Sequence, residues 1–217
     1  MATNPTNNAR PQTFGEEIAN AISHGAGVVA ATIASPLLIL AAVQRGDATA
    51  IVASSVFAAT VLLLYLSSTL YHAVHVEHIK SVLNVVDHVA IFLLIAGTYT
   101  PFTLGVLQGT WGWTLFGAVW GLAILGIGLK LLAGVRYPVL TVVLYLLMGW
   151  LVLIALKPLY HAMPLRGIVL LAGGGLAYTL GITFYALPKV RYAHFVWHLF
   201  VLVGTTCHFI AVWDYAT

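Results

Sequence analysis

The chain has 217 residues, of which 61% are hydrophobic and only 7% charged, against about 25% charged in a soluble domain. The composition excludes a soluble fold and points to several membrane helices in one domain. A net charge of +3 comes from nine Lys and Arg scattered singly, without the clustering that nucleic-acid binding requires. The lone Cys207 excludes an intrachain disulfide and a thiolate-based structural zinc site.

The opening MATNPTNNARPQTFGEE lacks a basic segment, an apolar run and a small-residue cleavage site in series, so no signal peptide is expected. Residues 1–15 read as a flexible tail ahead of a seven-helix core over 16–217. In TFGEEIANAISHGAG, Glu17, Asn20 and His24 recur at i, i+3 and i+7 and so share one helical face. This predicts a short amphipathic helix on the inner membrane surface, with ISHGAG turning the chain into the bilayer. Its polar face can rest among headgroups or serve a function.

Seven apolar runs follow, at residues 26–43, 50–71, 82–107, 111–132, 139–156, 167–187 and 195–212, each near the ~20 residues that cross a bilayer. The polar breaks QRGD, HVEHIK, QG, AGVRYP, KPLYHAMPLR and PKVR are too short to fold separately. Backbone groups in hydrocarbon must be satisfied internally, and the runs are too long for barrel strands, so the expected fold is an all-α, seven-transmembrane helix bundle. With a cytoplasmic N-terminus, Arg10, Lys80, Lys130, Arg136, Lys189 and Arg191 face inward and only Arg45, Lys157 and Arg166 outward. The positive-inside rule therefore places the C-terminus outside. Trp111, Trp113, Trp150, Trp213, Tyr137 and Tyr192 fall near run ends, as an aromatic belt requires. The glycine-rich GLAILGIG and LAGGGLAYTLG suit close helix packing, and Pro101 offers a kink that can open a cavity.

The ionisable residues sort onto one membrane face. His72 ends the second run, Asp87 and His88 open the third, and His194 and His198 open the seventh. Alternating crossings put all of these at the inner side. His194 and His198 are four apart on one helical face, a spacing suited to two ligands of one metal, and Ser68 and His72 are likewise four apart. His72, His194 and His198 supply three imidazoles, and Asp87 can hold the bound water or act as a fourth ligand. So many imidazoles with few carboxylates favour zinc over calcium or magnesium. The bland alternative for each histidine is an interhelical hydrogen bond. Against it stands the cost of ionisable groups in membrane spans, which makes them functional by default. His75 and His78 read as loop residues, His161 as an outer-loop residue, and His208 as too deep for the same metal. His88 points away from Asp87 and is left out of the site.

The blocks EEIANAISHG, SSTLYHA, DHVAIFLLIAGTYTPF and HFVWHLFVLVGTTCHF resemble those of bacterial hemolysin III-related membrane proteins, within the progestin and adipoQ receptor superfamily that includes the adiponectin receptors. The resemblance runs from about Glu16 to Val212. It implies a zinc ion on His72, His194 and His198 near the cytoplasmic face, with Asp87 and Ser68 contacting its water. Relatives share their zinc motif with alkaline ceramidases, and adiponectin receptors are associated with ceramide hydrolysis. Bacterial members carry the hemolysin name and an association with cytolysis, and some are linked to membrane homeostasis. Three functions are thus in play: an intramembrane zinc hydrolase of lipid amide or ester bonds, a receptor-like or homeostatic protein with structural zinc, and a cytolytic pore. In the first, Asp87 is the general base and Ser68 positions the water or stabilises the oxyanion. The expected setting is a bacterial plasma membrane, with membrane lipid as partner.

Overall fold

The computed structural model describes residues 10–217; the first nine residues of the expected tail lie outside the described residues. The chain runs through α1 (Phe14–Arg45), α2 (Ala48–Ala73) and α3 (Glu77–Pro101), which continues as a π-helical turn, Phe102–Leu107. It then forms α4 (Gly109–Ala133) and α5 (Pro138–Trp150), and a 3₁₀ segment, Leu151–Ala155, leads into α6 (Leu156–Ala162). α7 (Leu165–Tyr185) and α8 (Ala193–Tyr215) complete it. Joined across their irregular turns, these make seven helices long and apolar enough to cross a membrane.

The first span differs from expectation. No separate amphipathic helix and no turn at ISHGAG exist; α1 is one unbroken helix of 32 residues. Its start is set by Thr13, whose side chain accepts from the Glu16 amide while the Glu16 carboxylate accepts from the Thr13 amide at 2.9 Å, a capping box. Gly27 serves packing here, because an added Cβ would run into the Tyr65 ring of α2. The amphipathicity is real but turned around. Glu16, Asn20, Ser23 and His24 are buried against the bundle, while Phe14, Ile18 and Ile22 face outward. In lipid the outer surface is the cheap place for apolar side chains, so the polar stripe goes inside.

α2 packs against α1 on one side and α3 on the other, α7 packs on α8, and α1 against α8 closes the arrangement. Leu38, Phe57, Val61, Leu64, Val201 and Val212 form a core between α1, α2 and α8. A second cluster, with Phe92, Ala96, Val119, Ala123 and Met148, joins α3, α4 and α5. Small residues set the crossings, as expected where the hydrophobic effect does not drive helices together. Gly97 lies against Thr60, and in GLAILGIG only Gly126 meets a neighbour, the Phe92 ring.

Two breaks shape the interior. Pro101 has no amide to give, and the helix widens after it: the Gln108 amide reaches the Thr103 carbonyl five residues back at 3.1 Å. The fifth span breaks at Leu151–Ala155, which lets it continue to Ala162 instead of stopping near residue 156. Trp150 therefore lies mid-span, donating to Thr179 Oγ1 at 3.0 Å, and is not part of a belt. Trp111, Trp113, Trp213, Tyr137 and Tyr192 are exposed near span ends. The starts of α1, α3 and α8 and the end of α2 gather at one end of the bundle. At the other, Arg45 reaches the Thr217 carbonyl and Arg166 pairs with Asp214 at 3.3 Å.

Candidate metal centre

His72 sits in the last turn of α2, and His194 and His198 in the first two turns of α8. The start of α8 is held by α1: the Glu16 carboxylate accepts from the Tyr192 amide at 2.8 Å and from Arg10 at 2.7 Å. Tyr192 itself adopts the left-handed region at φ 58°, uncommon for a residue with a Cβ, so this contact restrains an unfavourable turn just ahead of His194.

One ring nitrogen from each of His72, His194 and His198 lies within 4.8 Å of the other two. Ring centroids are 5.0 Å apart for His72 and His194, 5.1 Å for His72 and His198, and 4.7 Å for His194 and His198. The Nε2 atoms of all three are buried and lack any hydrogen-bond partner among the described residues. Leaving one such nitrogen unpaired costs about 1–3 kcal/mol, so three on one spot need an account. A bound cation would supply it. Three imidazole nitrogens are a donor set that fits zinc, and these residues can hold a metal ion.

The Nδ1 atoms of His72 and His198 are occupied from α1. His72 Nδ1 lies 2.7 Å from Glu17 Oε2 and 3.4 Å from Asn20 Nδ2, and the shorter carboxylate contact governs. His198 Nδ1 lies 3.0 Å from Ser23 Oγ and 3.3 Å from the Asn20 carbonyl. Lys80 binds the second Glu17 oxygen at 2.9 Å.

Ser68, one turn before His72, has its Oγ 2.7 Å from His24 Nδ1 and adjoins the Asp87 carboxyl. Asp87 is buried on α3 and stands outside the histidine triplet. Together with His24 it borders a cavity of about 190 Å³ with mainly apolar walls, among them Leu94, Leu171 and Val201. Phe102 and Thr103 of the π turn and Val152 of the 3₁₀ break also line this space, so both irregular segments open it.

The remaining histidines fall elsewhere. His75 and His78 are exposed at the α2–α3 connection, and His161 is exposed at the end of α6. His88 binds the Asn84 carbonyl of its own helix at 2.7 Å. His208 reaches across to the Leu171 carbonyl at 3.2 Å, an interhelical bond as expected. Sequence reasoning left Glu17, Asn20 and His24 undecided and missed Ser23. The polar stripe at i, i+3 and i+7 was the available signal, and only burial tells which way it faces.

The family model described as Haemolysin-III related matches residues 12–209. The chain belongs to the haemolysin-III related family. Among curated haemolysin-III relatives it is 47% identical over 203 residues to the Hemolysin-3 homolog of Bacillus subtilis, covering 94% of this chain and 95% of that protein. It is 44% identical over 200 residues to Hemolysin-3 of Bacillus cereus, covering 92% and 91%. At 27% identity over 221 residues it also matches the human monocyte to macrophage differentiation factor, covering 97% of this chain and 89% of that one. No solved structure gives a significant match. His72, Asp87, His194 and His198 all lie inside the matched stretch.

Proposed function

We propose that this haemolysin-III related membrane protein holds a zinc ion on His72, His194 and His198 and hydrolyses amide or ester bonds of membrane lipids inside the bilayer. One observation carries the reading: three buried Nε2 atoms without a partner among the described residues share one end of the bundle with Ser68, one turn before His72, and with a buried carboxylate, Asp87, that borders an apolar cavity. Zinc bound there supplies Lewis acidity and brings the pKa of water down to about 7. Asp87 is the general base, taking the proton of the attacking water on its carboxylate oxygen. Ser68 Oγ, held by His24, positions that water beside Asp87. The apolar cavity excludes bulk water and receives the acyl chain, which enters laterally between helices. In this reading the N-terminus and the zinc lie on the cytoplasmic side of a bacterial plasma membrane and the C-terminus outside, following the basic residues.

The test is product release from an N-acyl lipid and a matched ester by purified, zinc-loaded protein in bilayer discs. Wild type cleaves one or both, and Asp87→Asn keeps its zinc but cleaves neither. Zinc-loaded wild type that turns over no lipid counts against the hydrolase.

A second reading, zinc as a structural clamp, is favoured by the placement of the three histidines. They join the end of α2 to the start of α8, both of which pack on α1. Here His194→Ala lowers zinc content and thermal stability together, and no lipid is turned over by any form.

A further inference from the structure

Two of the three clustered histidines, His72 and His198, are bonded at Nδ1 to a helix, α1, that contributes none of the three. We propose that the first three turns of α1 are the positioning element of the metal centre, with Glu17 and Ser23 each locking one histidine in the tautomer that leaves Nε2 free. This rests on the reading that His72, His194 and His198 bind zinc.

The hydrogen-bond roles follow from the partners. An ionised carboxylate only accepts, so His72 Nδ1, 2.7 Å from Glu17 Oε2, must donate, and its Nε2 keeps the lone pair. Ser23 Oγ–H donates to the Asn20 carbonyl at 2.8 Å. Its oxygen is then an acceptor for His198 Nδ1–H at 3.0 Å, with the Asn20 carbonyl a second acceptor at 3.3 Å. Both Nε2 atoms are thereby set as acceptors facing the same spot, which is where they lack any partner among the described residues. A carboxylate behind a ligating imidazole also raises its basicity, and losing such a partner commonly weakens metal binding by about 10–100-fold. Glu17 is itself pinned, since Lys80 of α3 takes its other oxygen at 2.9 Å. One carboxylate thus ties α1 to a ligand on α2 and to a lysine on α3. Its negative charge also offsets part of the charge of a dication in an apolar interior. His194 has no such support, because its Nδ1 makes no hydrogen bond among the described residues.

The competing account is that Glu17 and Ser23 only glue helices together. Zinc affinity separates the two. Metal-stripped protein in bilayer discs is titrated with zinc against a chromophoric chelator, and the thermal midpoint of each metal-free form is recorded alongside. Glu17→Ala is expected to bind zinc about 10–100-fold more weakly than wild type. Glu17→Gln falls between, since its amide oxygen still accepts from Nδ1 but carries no charge. Ser23→Ala loses less, because the Asn20 carbonyl remains. Lys80→Met, which frees the other oxygen of the same carboxylate but leaves its bond to Nδ1, loses less affinity than Glu17→Ala. If Glu17→Ala does not fold, the near-isosteric Glu17→Gln carries the test. Wild-type zinc affinity in Glu17→Gln and Ser23→Ala, with only the metal-free midpoint lowered, overturns the positioning role and leaves the zinc site standing. Wild type that binds no zinc overturns both.

Discussion

The imidazole of His24 lies face to face with that of His198, ring centroids 3.6 Å apart and planes 4° from parallel. The stack joins α1 to α8 directly behind one ring of the histidine triplet, and His24 is also bonded to Ser68 of α2. His24→Ala is expected to leave a cavity and to cost Ser68 one of its partners, lowering stability by roughly 2–4 kcal/mol. His24→Phe keeps a stacking ring and loses less. Thermal unfolding of both variants in one detergent is the check, and equal, unshifted midpoints refute the role of the stack.

The bundle was legible because hydrophobic run length is a strong signal in a membrane, where backbone satisfaction leaves few alternatives. The site was legible for a geometric reason. Span counting alone put His72, Asp87, His194 and His198 at one end, and the i, i+4 spacing put the last two on one face. What spacing does not carry is direction. Glu17, Asn20 and His24 form the same stripe whether it faces headgroups or protein, and only packing against α2 and α8 turned it inward. The π turn after Pro101 could be suspected from the proline. The break at Leu151–Ala155 has no glycine or proline to announce it, so Trp150 was placed at the membrane edge when it lies inside.

The α2–α3 crossing depends on the absence of one side chain. A Cβ on Gly97 would fall inside the volume of the Thr60 side chain. Gly97→Ala is expected to destabilise by about 1–3 kcal/mol, the usual cost of overpacking. Thr60→Ala in the same molecule should recover much of that loss. Gly121 on α4 has open space around it, so Gly121→Ala should be neutral or slightly stabilising by comparison. Chemical or thermal unfolding of the four proteins decides, and identical midpoints for the two alanine variants contradict the crossing geometry.

Sidedness can be read with the single native thiol removed. In a Cys207→Ser background, His78→Cys marks the end that carries the histidine triplet, and His161→Cys the opposite end; both positions are exposed. The distribution of basic residues predicts that an impermeant maleimide added to intact bacteria labels the protein at residue 161 and not at residue 78. Permeabilised cells should show both labelled. Labelling at 78 alone in intact cells inverts the orientation and places the metal centre outside.

Stripping zinc tests whether the ion also holds the helices. In the proposed zinc form, chelation would take the partner from three buried Nε2 atoms and a shared bridge from α2 and α8. A ligand that binds only the folded state contributes about 2.7 kcal/mol at a free concentration of 100 Kd, so chelation should lower the thermal midpoint by several degrees. Zinc should restore it in wild type and have no effect on His194→Ala/His198→Ala, which lacks two of the three nitrogens. The double variant should also copurify with no zinc. Zinc retained by it in stoichiometric amount places the metal elsewhere. A wild-type midpoint indifferent to chelation removes the clamp and leaves the ion, if present, with chemistry alone.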